Sequence, residues 1–299
     1  MHIDSLKYFV DVVQEKSISK VAQKMHISQS ALSQHIQKLE EDFGHKLLLR
    51  SNKGVEVTEI GEIVLKYSNN IMKNYEKMFH DINAHEHDNN SIYINGTSAL
   101  VAYSLPCMIY KMKKKFPNFD FQMSVSTVQQ TITDIQNDIC DFGFIDIKPD
   151  EKYNLYSYIM GKEKVVLIAP PKYNIPDRIK LKDLLNLEMI NCTMNTQTCD
   201  YLNKELGKIH KSLKDLKIIF NVDSLSAVKS SVTNGHGVAF APYESIKHEL
   251  YEKTVKIIEI EDINLDYDIF LVSKKISDLS KAAKESLEYL IEIGRKSFC

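Results

Sequence analysis

The sequence predicts a mixed α/β chain in two parts: a small helical head closed by a β-hairpin, and a larger run of alternating strands and helices, with one long helix between them. Three observations carry this. Three short apolar-striped helical segments and a strand–turn–strand pattern fill roughly the first 58 residues. An apolar stripe at near-heptad spacing then runs from Val64 to Ile82. From Ser91 onward strand-length apolar runs alternate with helical periodicity, an order that predicts a sheet with helices on its faces. A chain of 299 residues has room for about two such domains. Its 43% hydrophobic and 26% charged residues are ordinary for a globular protein. With 38 Lys and Arg against 40 Asp and Glu, the net charge is -2, which excludes a polycationic nucleic-acid coat. Any contact with nucleic acid must come from a local surface.

The head is legible element by element. Asp4 is a good N-cap, and Leu6, Phe9, Val10 and Val13 then recur at i, i+3, i+4 and i+7 on one face. Ser17 caps a short helix through Val21, Ala22 and Met25, and His26-Ile27-Ser28 forms a tight break. Ser28 caps a third helix running to about Phe43. Leu32, Ile36, Leu39 and Phe43 form its apolar stripe; Ser30, Ser33, Gln34 and Gln37 form the opposite one, and the first charge appears only at Lys38. A solvated helix face favours Glu and Lys, which are better helix formers than Ser. Short neutral donors and acceptors suit base edges in the major groove, where Gln pairs bidentately with adenine. A polar surface helix in an unrelated bundle is the alternative, but a short helix and tight turn before it favour helix-turn-helix. Lys46–Arg50, the turn Ser51-Asn52-Lys53-Gly54 and Val55–Thr58 read as a wing, with Arg50 and Lys53 near its tip as phosphate contacts that position without specifying. The candidate DNA-binding residues are therefore Ser28, Gln29, Ser30, Ser33, Gln34, Gln37, Arg50 and Lys53.

The order Leu6–Phe9, Ser17, Val21-Ala22, Met25, Ser28-Gln29, Ala31-Leu32-Ser33, Ile36, Leu39-Glu40, Gly44, Leu47, Arg50, Thr58 and Gly61 closely resembles the LysR-type transcriptional regulators. The run Ser28-Gln29-Ser30-Ala31-Leu32-Ser33 followed by Leu39-Glu40 is its most specific part. Three positions depart from the family pattern: Ser30 stands where Pro is common, Gln34 where Arg is common and Leu48 where Phe is common. Gln34 removes a cation from the groove face, so the operator cannot be copied from relatives. The resemblance implies a winged helix-turn-helix over residues 1–58, a linker and dimerisation helix over 59–87 and an effector-binding regulatory domain over 88–299.

Residues bear the linker out independently. Thr58 caps a helix to about His87, and Val64, Tyr67, Ile71, Tyr75, Met78 and Ile82 are spaced 3, 4, 4, 3 and 4 apart, close to a coiled-coil seam. About 28 residues at ~1.5 Å each make a rod of roughly 42 Å that cannot bury its stripe alone. A partner helix, or packing on its own effector domain, would cover it. The resemblance implies the first, in a homodimer that assembles further to a tetramer, with double-stranded operator DNA, a small-molecule effector and RNA polymerase as partners. The polar stretch from Asp81 to Asn90 is a hinge; His85 and His87 within it and His80 just before it lack ligand geometry for a metal.

Beyond it the βα order predicts a mostly parallel sheet. Strands are expected at Ser91–Asn95, Phe119–Val125 and Phe142–Asp146, then at Lys164–Ala169, Met189–Asn191, Lys217–Asn221, Val238–Ala241 and Tyr267–Val272. Ser224–Asn234 and Ser280–Arg295 are expected helices. We read two Rossmann-like α/β subdomains joined by crossing strands, the first about 91–161 with 267–299 and the second about 162–266, as in periplasmic binding proteins. Weaker markers, among them Leu105-Pro106, Phe116-Pro117, Asp141–Phe144 and Gly235–Val238, extend the family resemblance here.

In open α/β sheets ligands lie outside the carboxyl ends of strands. Those ends carry Thr97, Ser98, Ser126, Thr127, Thr193 and Asn195, the candidate effector-binding residues. Hydroxyls and N–H groups at helix starts favour an anion, and no Arg lies in these loops, so a small anion fits better than a bulky dianion. Plain N-caps are the alternative for each. Cys192 and Cys199 flank one of the loops, as in peroxide-sensing relatives that switch by a disulfide, but nothing basic lies beside either thiol to lower its pKa. A thiol redox-responsive regulator or a solute-binding protein are thus the rival functions. Five scattered cysteines without Cys-x-x-Cys spacing suggest neither a disulfide framework nor zinc. No nucleophile–base pair or phosphate loop is visible, so an enzyme is not expected, nor a cofactor. The scattered cysteines, with no secretory pattern and no span-length apolar run, point to a cytoplasmic protein without membrane contact, and the family resemblance implies a bacterial one.

Overall fold

The computed structural model describes residues 2–51, 54–86, 90–193 and 196–294. The chain divides into two compact units at about residue 88.

The first unit holds α1 (Ile3–Glu15), α2 (Ile18–Lys24), α3 (Gln29–Phe43), the antiparallel hairpin of β1 (Leu48–Ser51) and β2 (Gly54–Val57), and α4 (Glu59–Glu86). Its start differs from the expectation at Asp4. The cap position is His2, which makes no side-chain bond, and Asp4 lies inside the first turn, where its charge complements the helix dipole. The other caps are as read: Ser17 Oγ accepts from Lys20 N, Ser28 Oγ from Ala31 N and Thr58 Oγ1 from Gly61 N. Phe9, Val21, Leu32, Ile36, Leu39, Leu47 and Val64 meet in one core. Gly61 sits where α4 passes the wing. A Cβ there would collide with the Leu47 carbonyl oxygen and stand 2.6 Å from Val57 Cγ2. Gly61→Ala is therefore expected to destabilise this unit by about 2–3 kcal/mol in denaturant unfolding, because the obstructing atom is backbone and cannot swing away.

Along α4 the apolar stripe is exposed: Tyr67 is 61% accessible, and Ile63, Ile71, Met78 and Ile82 also face outward, whereas Val64 is buried in the core. His85 and His87 lie outside the residues whose side chains are described.

The second unit begins with β3 (Asn90–Gly96), a π-helical turn (Leu100–Ser104) continuing into α5 (Leu105–Lys115), β4 (Phe119–Val125), α6 (Val128–Gln136) and β5 (Phe142–Ile145). It continues with β6 (Tyr156–Glu163), β7 (Val165–Ala169), β8 (Arg178–Ile179), β9 (Glu188–Cys192), α7 (Thr196–Gly207), β10 (Lys217–Val222), α8 (Leu225–Thr233), β11 (Ala239–Pro242), α9 (Lys247–Tyr251), β12 (Lys256–Ile260), β13 (Tyr267–Ser273) and α10 (Lys281–Ile293). The first subdomain is a five-stranded sheet in the order β4-β3-β5-β13-β6. The expectation of a mostly parallel sheet holds only in part. β3, β4 and β5 are parallel, as helical crossovers require, but β13 runs antiparallel to both β5 and β6. β6 and β13 are the crossing strands, and β6 is not among the strands read from the sequence. Its residues Tyr156, Ser157 and Tyr158 dilute the apolar alternation, and its place comes from pairing with a distant segment.

The second subdomain is likewise mixed, in the order β11-β7-β12-β8, with the parallel pair β10-β9 alongside. Val238 N donates to Glu188 O and Ile190 N to Val238 O, joining β9 to the approach of β11. Gly237 permits this: its φ is +146°, and a Cβ would lie 2.6 Å from Glu188 O. Separate cores underlie the two sheets, one around Ile92, Met108, Phe142, Phe144 and Leu287, the other around Leu167, Leu184, Leu206, Val238 and Ile258. Among the described residues no helix is long and apolar enough to cross a membrane, and no cluster of side chains suits a metal ion.

Candidate functional sites

In the first unit the fold sets one polar helix face against the wing. Ser28, Gln29, Ser30, Gln34 and Gln37 are exposed and Ser33 is half-exposed, all on the side of α3 away from Leu32, Ile36 and Leu39. Arg50 on β1 donates to Ser33 Oγ at 3.4 Å, which places the wing cation beside that face. Two of these groups are already engaged. Ser28 Oγ caps the helix and also lies 2.9 Å from Ser30 Oγ. Gln37 donates to Glu41 one turn on, at 2.9 Å. His35 belongs to the framework: its Nδ1 is 3.3 Å from Ser5 Oγ and its ring stands edge-on to Tyr8. Lys53 lies outside the described residues.

Glu40 aligns helix and wing, a role the sequence reading did not assign. This carboxylate is 6% exposed. It accepts from Leu47 N at 2.9 Å and Leu48 N at 3.3 Å, and from Lys46 Nζ at 2.7 Å. Burial pushes its pKa up, but Lys46 and the two N–H groups outweigh that and hold it below the usual range. A charged residue on the apolar side of α3, directly after Leu39, was the available signal.

In the second unit a cavity of about 280 Å³ opens between the subdomains. Thr97 and Ser98 after β3, Ser126 and Thr127 after β4, and Thr193 after β9 all line it. Asn195 lies outside the described residues. The hydroxyls are not equivalent. Thr127 Oγ1 accepts from Gln130 N at 3.2 Å, capping α6 while keeping its own proton. Thr193 Oγ1 donates its proton to Val222 O at 3.1 Å and offers only lone pairs elsewhere. Several lining residues were not foreseen: Asp146 and Ile147 at the end of β5, Leu225 at the start of α8, Pro242 and Tyr267. Asp146 follows the same strand-end rule as the others. Pro242 and Tyr267 come from strand ends paired only in three dimensions. Gln197 of α7 donates to the Asp146 carbonyl at 2.8 Å, tying the two subdomains beside the cavity.

Carboxyl groups gather where the crossing strands meet. Tyr267 pairs in register with Glu163, which is 2% exposed and has one oxygen without a partner. Burial, then the charge of Glu244, pushes Glu163 up to about 7; the Glu244 N–H and Lys247 pull it down in part, and Asp266 adds to the rise. A raised folded pKa means that the native state holds the proton more tightly than the unfolded chain. Stability is then full below the unfolded value near 4.5 and falls as the pH climbs through about 7. Glu163→Gln is expected to stabilise this unit by about 2–3 kcal/mol at high pH and hardly at all at low pH, read as melting temperature across that range.

Cys140, Cys192 and Cys199 form no disulfide, whereas Cys107 is disulfide-bonded, a pairing the scattered cysteines did not suggest. Burial, then Asp200 and Cys192, pushes the Cys199 thiol up, which keeps it protonated and a poor nucleophile.

Residues 3–62 match the family model described as bacterial regulatory helix-turn-helix protein, lysR family, and residues 85–294 match the LysR substrate binding domain. The chain is 26% identical over 285 residues to a probable RuBisCO transcriptional regulator of Phaeodactylum tricornutum, covering 94% of this chain and 93% of the relative. It is 26% identical over 289 residues to the HTH-type transcriptional regulator CysL of Bacillus subtilis, covering 94% of each. Its fold is that of CbnR, a LysR family transcriptional regulator, with a TM-score of 0.75 at 16% identity over 98% of this chain and 99% of that one. CbnR in complex with its target DNA superposes with a TM-score of 0.69 at 17% identity, over 99% of this chain and 100% of that one. With both its head and its larger unit matched in this way, the chain belongs to the LysR family of transcriptional regulators.

Proposed function

We propose that this chain reads operator DNA with the outer face of α3. Gln29, Ser30, Ser33 and Gln34 contact base edges, with Ser28 and Gln37 at the ends of the same face, and Arg50 and Lys53 hold the phosphate backbone. The observation that carries this is the exposed, uncharged, hydrogen-bonding face of α3 with Arg50 bonded to Ser33 at its edge. Residues 1–58 form the reading head, 59–87 the dimerisation helix and 88–299 the regulatory domain, the last divided into about 91–161 with 267–299 and 162–266. The exposed stripe of α4 supports pairing with a second copy. Such dimers, assembled further to tetramers, match the half-site geometry of an interrupted palindrome, and RNA polymerase is the partner through which bound DNA is acted on. The cytoplasm is where this takes place, and the protein catalyses no reaction.

Thr97, Ser98, Ser126, Thr127, Thr193 and Asn195 bind a small effector between the subdomains. Several helix starts face the cavity, and their N–H groups supply the donors. Binding shifts the balance between subdomain arrangements by its differential affinity for them. The protonated Cys199 supports this reading over a thiol switch. A footprint of the full-length protein on the DNA upstream of its own gene tests it: an interrupted palindrome is expected to be protected. Uniform, purely salt-dependent coverage of that DNA and of every other genomic site would overturn it.

A further inference from the structure

Asp146 is the anomaly in a site otherwise built for an anion. The residue lines the cavity, yet one of its carboxylate oxygens is shut away from solvent and has no hydrogen-bond partner. A buried acceptor left in that state costs roughly 1–3 kcal/mol, more when charged. Among the described residues lining the cavity there is no Lys, Arg or His to neutralise it. Two further residues of the lining supply no positive charge either. Thr193 has already given its proton to Val222 and presents lone pairs only. Tyr267 keeps its proton, since burial and the charges of Glu163 and Asp146 all push its pKa up. The Asp146 carboxyl is pushed up as well, by burial. This side of the cavity therefore lacks a positively charged donor.

The opposite side has the reverse character. Thr97 and Ser98 open the helical stretch leading to α5, and Thr127, still holding its proton, opens α6. Hydroxyls at helix starts, with the dipoles behind them, attract a carboxylate. Val128, Leu225 and Pro242 make the remaining wall apolar. The volume of about 280 Å³ lies just below the roughly 300–1,000 Å³ of small-molecule sites and suits a small ligand.

We propose that the effector is a small organic zwitterion of the amino-acid class, its carboxylate held at Thr97, Ser98 and Thr127 and its ammonium by Asp146 and Thr193. The inference rests on reading the cavity as the effector site, and it narrows the anion expected from the strand-end loops to one that also carries an amine.

The test is calorimetry and thermal shift on the full-length chain with the common L-amino acids, β-alanine and 4-aminobutyrate, each beside its des-amino carboxylate. At least one amino acid is expected to bind and raise the melting temperature, with its des-amino analogue at least about 30-fold weaker. Asp146→Asn, which keeps the side chain's shape, should abolish that preference, and Ser98→Ala should weaken amino acid and analogue alike. Equal binding of the des-amino acid, an unchanged preference in Asp146→Asn, or no binding by any amino acid would each overturn the zwitterion. If a carboxylate still binds and Ser98→Ala weakens it, the cavity remains the effector site; if a ligand binds and neither variant matters, that reading is the one that fails.

Discussion

Replacing Ser33 and Gln34 together by alanine is expected to reduce operator affinity by on the order of 10²–10³-fold while leaving weak non-specific binding in place. A bidentate side chain–base pair discriminates by about 1–3 kcal/mol, and a hydroxyl contact adds to it. Folding should be intact, since Gln34 is exposed, Ser33 half-exposed and alanine a better helix former than either. The slope of log affinity against log salt should stay as in the wild type, because neither residue carries charge. Arg50→Ala should behave oppositely, weakening specific and non-specific binding together and lowering that slope by about one. The two effects are not wholly separable, because Arg50 donates to Ser33 Oγ and loses that anchor in the double variant. Gel-shift titrations at several salt concentrations measure all of this. A double variant that protects the operator as well as wild type would remove α3 from base reading.

Glu40→Ala should have the largest effect on the head's stability, about 3–5 kcal/mol. The loss is not mainly that of the salt bridge, since Lys46 is 73% exposed and an exposed cation contributes little. It comes from the N–H groups of Leu47 and Leu48, buried with no other acceptor once the carboxylate is gone. Glu40→Gln, which keeps an acceptor, should cost less. The pH dependence has a definite sign. A folded pKa below the unfolded one gives stability that is complete above about 4.5 and lost as the pH falls through the folded value. Wild type should therefore lose head stability on acidification, and Glu40→Ala should lose less. Calorimetry of the full chain at neutral and acid pH checks both statements. Because Glu40 joins α3 to the start of the wing, operator binding should weaken as well, with Arg50 no longer held beside Ser33.

The identity of the family and the polarity of α3 were determined by sequence alone, because both are local. Ser17, Ser28, Thr58 and Ser280 cap helices through bonds to N–H groups three residues on, and the period of Leu32, Ile36 and Leu39 tells which face looks outward. The strand ends at Thr97, Ser126 and Thr193 were equally visible, since each closes a short apolar run. What those ends share was decided by the tertiary structure. β6 and β13 pair residues far apart in the chain, and that pairing brings Tyr267 to the cavity and Glu163 into the interior. The unmet oxygen of Asp146 and the clamp made by Glu40 are of the same kind. Whether a buried carboxylate is satisfied depends on which N–H groups and cations the fold carries to it, and spacing along the chain holds no record of that.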